Sequence, residues 1–161
     1  RVHPSSSRID ETFWMKPATV TLFASDRSQL SRFALATAPA ECCGLLVGHQ
    51  TEDTIEITAV HATENLSTDK LKGFEIDFRV RLQLEEQLAT GPDRIVGLYH
   101  SHPNGNPRPS DRDLEEAAEQ DFVWLILAVD GIGAVDLSAW WMSRSVNNTK
   151  SFSALPITIK R

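Results

Sequence analysis

The run from His100 to Asp113, HSHPNGNPRPSDRD, brings two imidazoles, the Ser110 hydroxyl and two carboxylates into one short stretch. Neutral imidazole and carboxylate are donors that zinc takes, and a hydroxyl beside them can assist hydrolysis. Ile95 to Tyr99 reads as a buried strand, so His100 and His102, two residues apart, project from the same face. Pro103 to Pro109, rich in proline, asparagine and glycine, must then be a loop. Ser110, followed by Asp111, Asp113, Leu114, Ala117 and Ala118, reads as a capped helix start with Asp113 in the first turn. His100, His102 and Asp113 would leave a tetrahedral zinc one open position, the arrangement of catalytic zinc.

Each half of this pattern has an ordinary explanation. H-x-H in a strand is more often a hydrogen-bonded pair, and Ser110-x-x-Asp113 alone is a capping box. Together they spell H-x-H-x7-S-x2-D, which is far narrower. Competing signatures fit worse. A metallo-β-lactamase-like H-x-H-x-D-H is broken by Asn104 and Gly105, and the Glu a cupin needs does not come before Glu115. A zinc deaminase needs P-C-x-x-C, whereas Cys42 and Cys43 are adjacent.

With these residues the sequence resembles the JAMM (MPN+) zinc metalloprotease family in its minimal prokaryotic form, whose fingerprint is a Glu upstream of H-x-H-x7-S-x2-D. Pro39 to Gly48 resembles the family segment in which a Glu precedes a Cys-Gly and an apolar strand. Phe74-Glu75-Ile76-Asp77 is similar to the stretch that opens the helix before the metal strand in bacterial members. The resemblance spans about residues 19 to 142.

That resemblance implies an MPN-like α/β sandwich with a mixed, mostly antiparallel sheet, of cytidine deaminase-like architecture. It implies one Zn2+ per chain on His100, His102 and Asp113, Glu41 as general base, and Ser110 as a donor to the developing oxyanion. It also implies hydrolysis of a peptide or isopeptide bond at the C-terminal tail of a ubiquitin-like or sulfur-carrier protein, a tail that can lie along a sheet edge. Two other readings are a zinc amidohydrolase acting on small molecules or short peptides, and a non-catalytic MPN interaction scaffold. Residues 61 to 73 occupy the place of a substrate-contacting insertion and are short here, while a second insertion after the Ser110 helix is missing, because Gln120-Asp121 runs straight into Phe122. Both features favour a minimal enzyme over one specific for polyubiquitin chains.

Composition agrees with one enzyme domain. The 161 residues, 41% hydrophobic, supply one core, and a net charge of −6 offers no basic patch for nucleic acid or an anionic membrane. No apolar run reaches membrane-span length, and residues 1 to 14 lack the features of a signal peptide. Two adjacent cysteines make no disulfide framework, and with the missing leader this predicts a cytoplasmic protein. Cys43 reads as a small buried hydrophobe rather than a reactive thiol.

Residues 1 to 16 read as a flexible arm or appended residue, with Met15 a candidate start, and residues 17 to 161 as the catalytic domain. Thr19 to Ala24 predicts a strand and Asp26 to Ala38 a helix, with Leu30, Phe33, Ala34 and Ala38 on its apolar stripe. Cys42 to Val47 and Thr54 to Val60 predict a hairpin across a polar turn, His49 to Asp53. Asp77 to Ala89 alternates like a strand at its start yet carries helix-forming residues, and helix is the better reading. Phe122 to Val129 and Ala134 to Trp141 predict strands joined at Asp130-Gly131-Ile132-Gly133, and Phe152 to Ile159 a single edge strand. His3, His49 and His61 have no partner at ligand spacing and read as surface residues. Trp14, Trp124, Trp140 and Trp141 read as packing residues.

Overall fold

A computed structural model of the chain describes residues 16–161, so the readings of the N-terminal arm, His3 and Trp14 lie outside the described residues. In chain order the elements are β1 (Thr19–Phe23), α1 (Ala24–Thr37), β2 (Cys43–Thr51), β3 (Thr54–Thr63), α2 (Phe78–Leu88), β4 (Arg94–His102), α3 (Asp111–Glu116), β5 (Phe122–Val129), β6 (Val135–Arg144), β7 (Lys150–Leu155) and β8 (Ile157–Lys160). The strands form one mixed sheet in the order β7-β6-β5-β4-β2-β3-β1-β8. β4 is parallel to β5, and β1 is parallel to both β3 and β8; the other neighbouring pairs are antiparallel.

Two apolar layers cover the two faces of this sheet. On one, Leu30 and Ala34 of α1 pack with Val20, Leu46, Tyr99 and Leu125. On the other, Leu84 of α2 packs with Leu45, Trp124 and Met142. This is the α/β sandwich expected. A strand covered on both faces should be apolar throughout rather than alternating, and β5, FVWLILAV, is buried at every position. Asp77 caps α2 by accepting the Arg79 amide, which supplies the start signal that the alternating Phe78 to Leu84 obscured.

Three boundaries differ from expectation. β2 and β3 extend to a two-residue turn at Glu52 and Asp53, so His49 lies within a strand rather than in a turn. α3 stops at Glu116, before Ala117 and Ala118. The single edge strand expected over Phe152 to Ile159 is two strands, β7 and β8, at opposite ends of the strand order. Pro156 alone separates them. Proline has no amide to donate to a ladder, so the chain leaves β6 there and joins β1, and the sheet curls into a half-barrel whose two edge strands follow one another in sequence. No helix among the described residues is long and apolar enough to cross a membrane.

Candidate metal and hydrolytic site

β4 lies in the middle of the sheet, between β2 and β5, and its last residues carry the two histidines. His100 and His102 share one face with Leu98, while Tyr99 and Ser101 point to the other. The His100 ring is fully buried, stacked on Phe74 with centroids 4.3 Å apart and edge-on to Trp124 at 5.5 Å. Phe74 is the first residue of the stretch that the sequence singled out before α2. Its packing leaves the imidazole little rotational freedom.

The loop after β4 brings the helix start back over the strand. Trp140 Nε1 donates to the Pro107 carbonyl at 3.1 Å, and Ser138 Oγ donates to the same oxygen at 2.6 Å. Ser110 then caps α3: its Oγ accepts the Asp113 amide at 3.0 Å, while Asp113 Oδ2 accepts the Ser110 amide at 2.9 Å. Lys150 Nζ closes the other end of this short helix on the carbonyls of Glu115 and Ala117. Asp113 is buried and faces both imidazoles.

Three donor atoms converge there. His100 Nε2 and His102 Nε2 are 3.0 Å apart, and Asp113 Oδ2 lies 3.2 Å from the first and 3.0 Å from the second. His102 Nδ1 sits 2.7 Å from the Asn106 carbonyl, which can only accept, so Nδ1 carries the proton. In the neutral ring Nε2 is therefore a lone pair, and it faces a second imidazole nitrogen and a carboxylate oxygen. Either a hydrogen-bond proton on His100 or a metal ion can sit among them. A proton serves one pair, whereas a metal ion serves all three: donors about 2.0 to 2.1 Å from a tetrahedral zinc lie about 3.3 Å from one another, close to the observed triangle.

Charge directions describe the same tension. Burial pushes His100 down and keeps it neutral. His102 is raised, because Asp113 and the Asn106 carbonyl outweigh the effect of burial. Asp113 is lowered, because hydrogen bonding to both histidines overcomes the desolvation that opposes it. Glu41 stands at the edge of the cluster: one ligand atom each from Glu41, His100 and His102 lie within 4.8 Å of one another, and all three residues are buried, so the group is able to hold a metal ion. Burial pushes the Glu41 carboxyl up to about 7, and its Oε1 is buried without a hydrogen-bond partner.

The structure thus brings all five residues singled out in the sequence to one place. Glu41, His102 and Ser110 line one cavity of about 470 Å³, together with Leu71, Lys72 and Arg112. Sequence reasoning missed several supports. Ser101, between the two histidines, accepts the Cys42 amide on its Oγ at 2.8 Å, while its own amide donates to the Cys42 carbonyl at 3.0 Å. Asn106 reaches His102 through its backbone carbonyl, while its Oδ1 accepts the Arg108 amide within the loop. Burial raises the Cys43 thiol to about 11, which fits the inert role expected of it. Trp124 and Trp141 are core residues, as expected.

Residues 23–143 match the family described as prokaryotic homologs of the JAB domain. The desampylase of Haloferax volcanii is 36% identical over 98 residues, 61% of this chain and 69% of that protein. A CD-NTase/cGAS isopeptidase of Enterobacter hormaechei is 32% identical over 145 residues, covering 81% and 79% of the two chains. The deubiquitinase MYSM1 of Homo sapiens is 32% identical over 116 residues, and the match spans only 13% of that longer protein. The solution structure of protein DSY2949 from Desulfitobacterium hafniense superposes with a TM-score of 0.75 at 23% identity, covering 89% of this chain and 94% of that one, which shows the fold.

Proposed function

We propose, for a chain that belongs to the family of prokaryotic homologs of the JAB domain within the JAMM/MPN metalloproteases, that it hydrolyses isopeptide or peptide bonds at the C-terminal tail of a ubiquitin-like or sulfur-carrier protein. The observation that carries this reading is the triangle of His100 Nε2, His102 Nε2 and Asp113 Oδ2, one of whose corners is a lone pair by virtue of the Asn106 carbonyl. These residues would hold zinc. When bound, zinc supplies Lewis-acid polarisation of the carbonyl and makes water a stronger nucleophile.

The rest falls to side chains of this chain. Glu41, held near 7 by burial, can take a proton from the attacking water at neutral pH and return it to the departing amine nitrogen. Ser110 Oγ accepts the Asp113 amide through one lone pair, and its O–H can still donate toward the carbonyl oxygen as charge develops there. Capping and oxyanion stabilisation are therefore compatible in one hydroxyl. A tail cannot add as a strand to β4, because β5 and β2 already flank it. It would instead run through the cavity that Leu71 and Lys72 line beside Glu41, His102 and Ser110.

The test is to incubate zinc-loaded protein with ubiquitin-like and sulfur-carrier proteins bearing C-terminal extensions, and with free peptides of the same tails. The reading expects cleavage directly after the carrier tail, faster on the carrier than on the free peptide. Equal rates on the two would remove the carrier from the recognition. Cleavage of neither would hand the site to a small-molecule amidohydrolase.

A further inference from the structure

Glu41 lies in the short gap between α1 and β2, outside every strand ladder. Its backbone must find partners elsewhere. Both come from the segment that follows β3: the Glu41 amide donates to the Lys70 carbonyl at 2.7 Å, and the Glu41 carbonyl accepts Asn65 Nδ2 at 3.0 Å. Asn65 is itself 9% exposed, and its amide group has every site filled. Nδ2 also donates to the Gly73 carbonyl, and Oδ1 accepts the amides of Ser67 and Glu75, each at 3.0 Å. One side chain thus closes both arms of the 65–75 segment on itself and grips Glu41 with the remaining donor. Arg112 fastens the same segment from the α3 side, 3.6 Å from Asp69, with its guanidinium packed where a Cβ on Gly73 would stand.

We propose that Asn65 is a positioning residue for the hydrolysis: it fixes the backbone of Glu41, and so places the Glu41 carboxylate, without touching substrate or metal. The inference rests on the reading of Glu41 as the base. Ser101 holds the neighbouring Cys42, but the amide and carbonyl of Glu41 itself pair with the 65–75 segment, so the placement of its carboxylate also depends on that loop and the amide that closes it. The 65–75 segment then has a second task besides bordering the cavity: it carries the order of the reacting group.

The test uses the full zinc-loaded chain with Asn65→Asp, which keeps the acceptor and size but loses both donors, and Asn65→Ala as a second variant. Each is also combined with Glu41→Gln. Turnover is measured on the carrier proteins bearing C-terminal extensions, and hydrogen exchange is read at the Glu41 amide. We expect kcat to fall about 10- to 100-fold, the range for residues that orient reacting groups, with KM and zinc content little changed. In the Glu41→Gln background the Asn65 substitutions should cost nothing further, and the Glu41 amide should exchange faster in both variants. A full additional loss in the Glu41→Gln background would mean that Asn65 acts elsewhere, and unchanged exchange at the Glu41 amide, which donates to Lys70, would mean that the 65–75 segment keeps its hold without Asn65 and would overturn the positioning role. Normal turnover by Glu41→Gln would overturn the base assignment, and the positioning role with it.

Discussion

Among the described residues two clusters set histidine against carboxylates, and they differ in how far hydrogen bonds within the protein complete them. On the face of β2, His49 Nδ1 meets Asp93 Oδ1 at 2.7 Å and His49 Nε2 meets Glu56 Oε2 at 2.9 Å, so a protonated ring donates both N–H groups to separate acceptors. Lys160 and Thr58 donate to the remaining carboxylate oxygens, Glu56 Oε1 and Asp93 Oδ2, and Thr51 donates to the Glu56 Oε2 that His49 also contacts. At the end of β4, by contrast, two ring nitrogens face each other and one shared carboxylate oxygen. The first cluster is finished by its own hydrogen bonds and partly exposed to water; the second is buried, and its donor atoms converge on one point where a metal ion would fit. Residue type does not distinguish a structural histidine cluster from a metal site. The direction of the lone pairs does.

Breaking the buried cluster at its base should have the largest effect. Glu41→Gln is expected to keep zinc and melting temperature while losing about 100- to 10,000-fold in hydrolysis, the usual contribution of a general base. Turnover on a carrier substrate together with metal content checks this. Ser110→Ala should be milder in chemistry yet visible in stability: about 100- to 1,000-fold for one lost oxyanion donor, and about 1 kcal/mol for a lost cap. A melting curve and a rate separate the two losses.

The smallest effect belongs to the finished cluster. Hydrogen bonding to Asp93, ahead of that to Glu56, raises His49, so its contribution is complete below about 6.5, the value of an unfolded histidine, and is lost as pH rises through the raised folded value. Lys160, then Thr51 and His49, hold Glu56 down at about 2, so its contribution is present above about 4.3 and lost as pH falls toward 2. Wild type should therefore exceed His49→Gln in melting temperature most clearly between about pH 4.3 and 6.5, with the gap closing at higher pH. The group is solvated, so the gap corresponds to about 1 kcal/mol or less. Hydrolysis by His49→Gln at neutral pH should be unchanged.

The contrast also explains what could be read in the sequence. His100, His102, Ser110 and Asp113 were legible because a two-residue strand period and a capping box are local rules, and local rules survive in a string of letters. Glu41 was legible only through family resemblance, since the residues that fix it, Asn65 and Lys70, are separated from it by a whole hairpin. Asn106 acts through its carbonyl and Phe74 through a ring contact, and neither leaves a pattern. His49 was read as an unpartnered surface residue because Glu56 and Asp93 come from β3 and from the loop before β4. The division of Phe152 to Ile159 had a visible cause in Pro156, but its consequence, a strand crossing to the far edge, depends on a sheet that has already curled.

Metal content decides between a finished and an unfinished cluster most directly. Wild type and His49→Gln should each bind about one zinc per chain, while a His100→Ala, His102→Ala double variant should bind none and still fold, because a catalytic site on a preformed strand is not the core. Equal, substoichiometric zinc in wild type and the double variant would contradict the account.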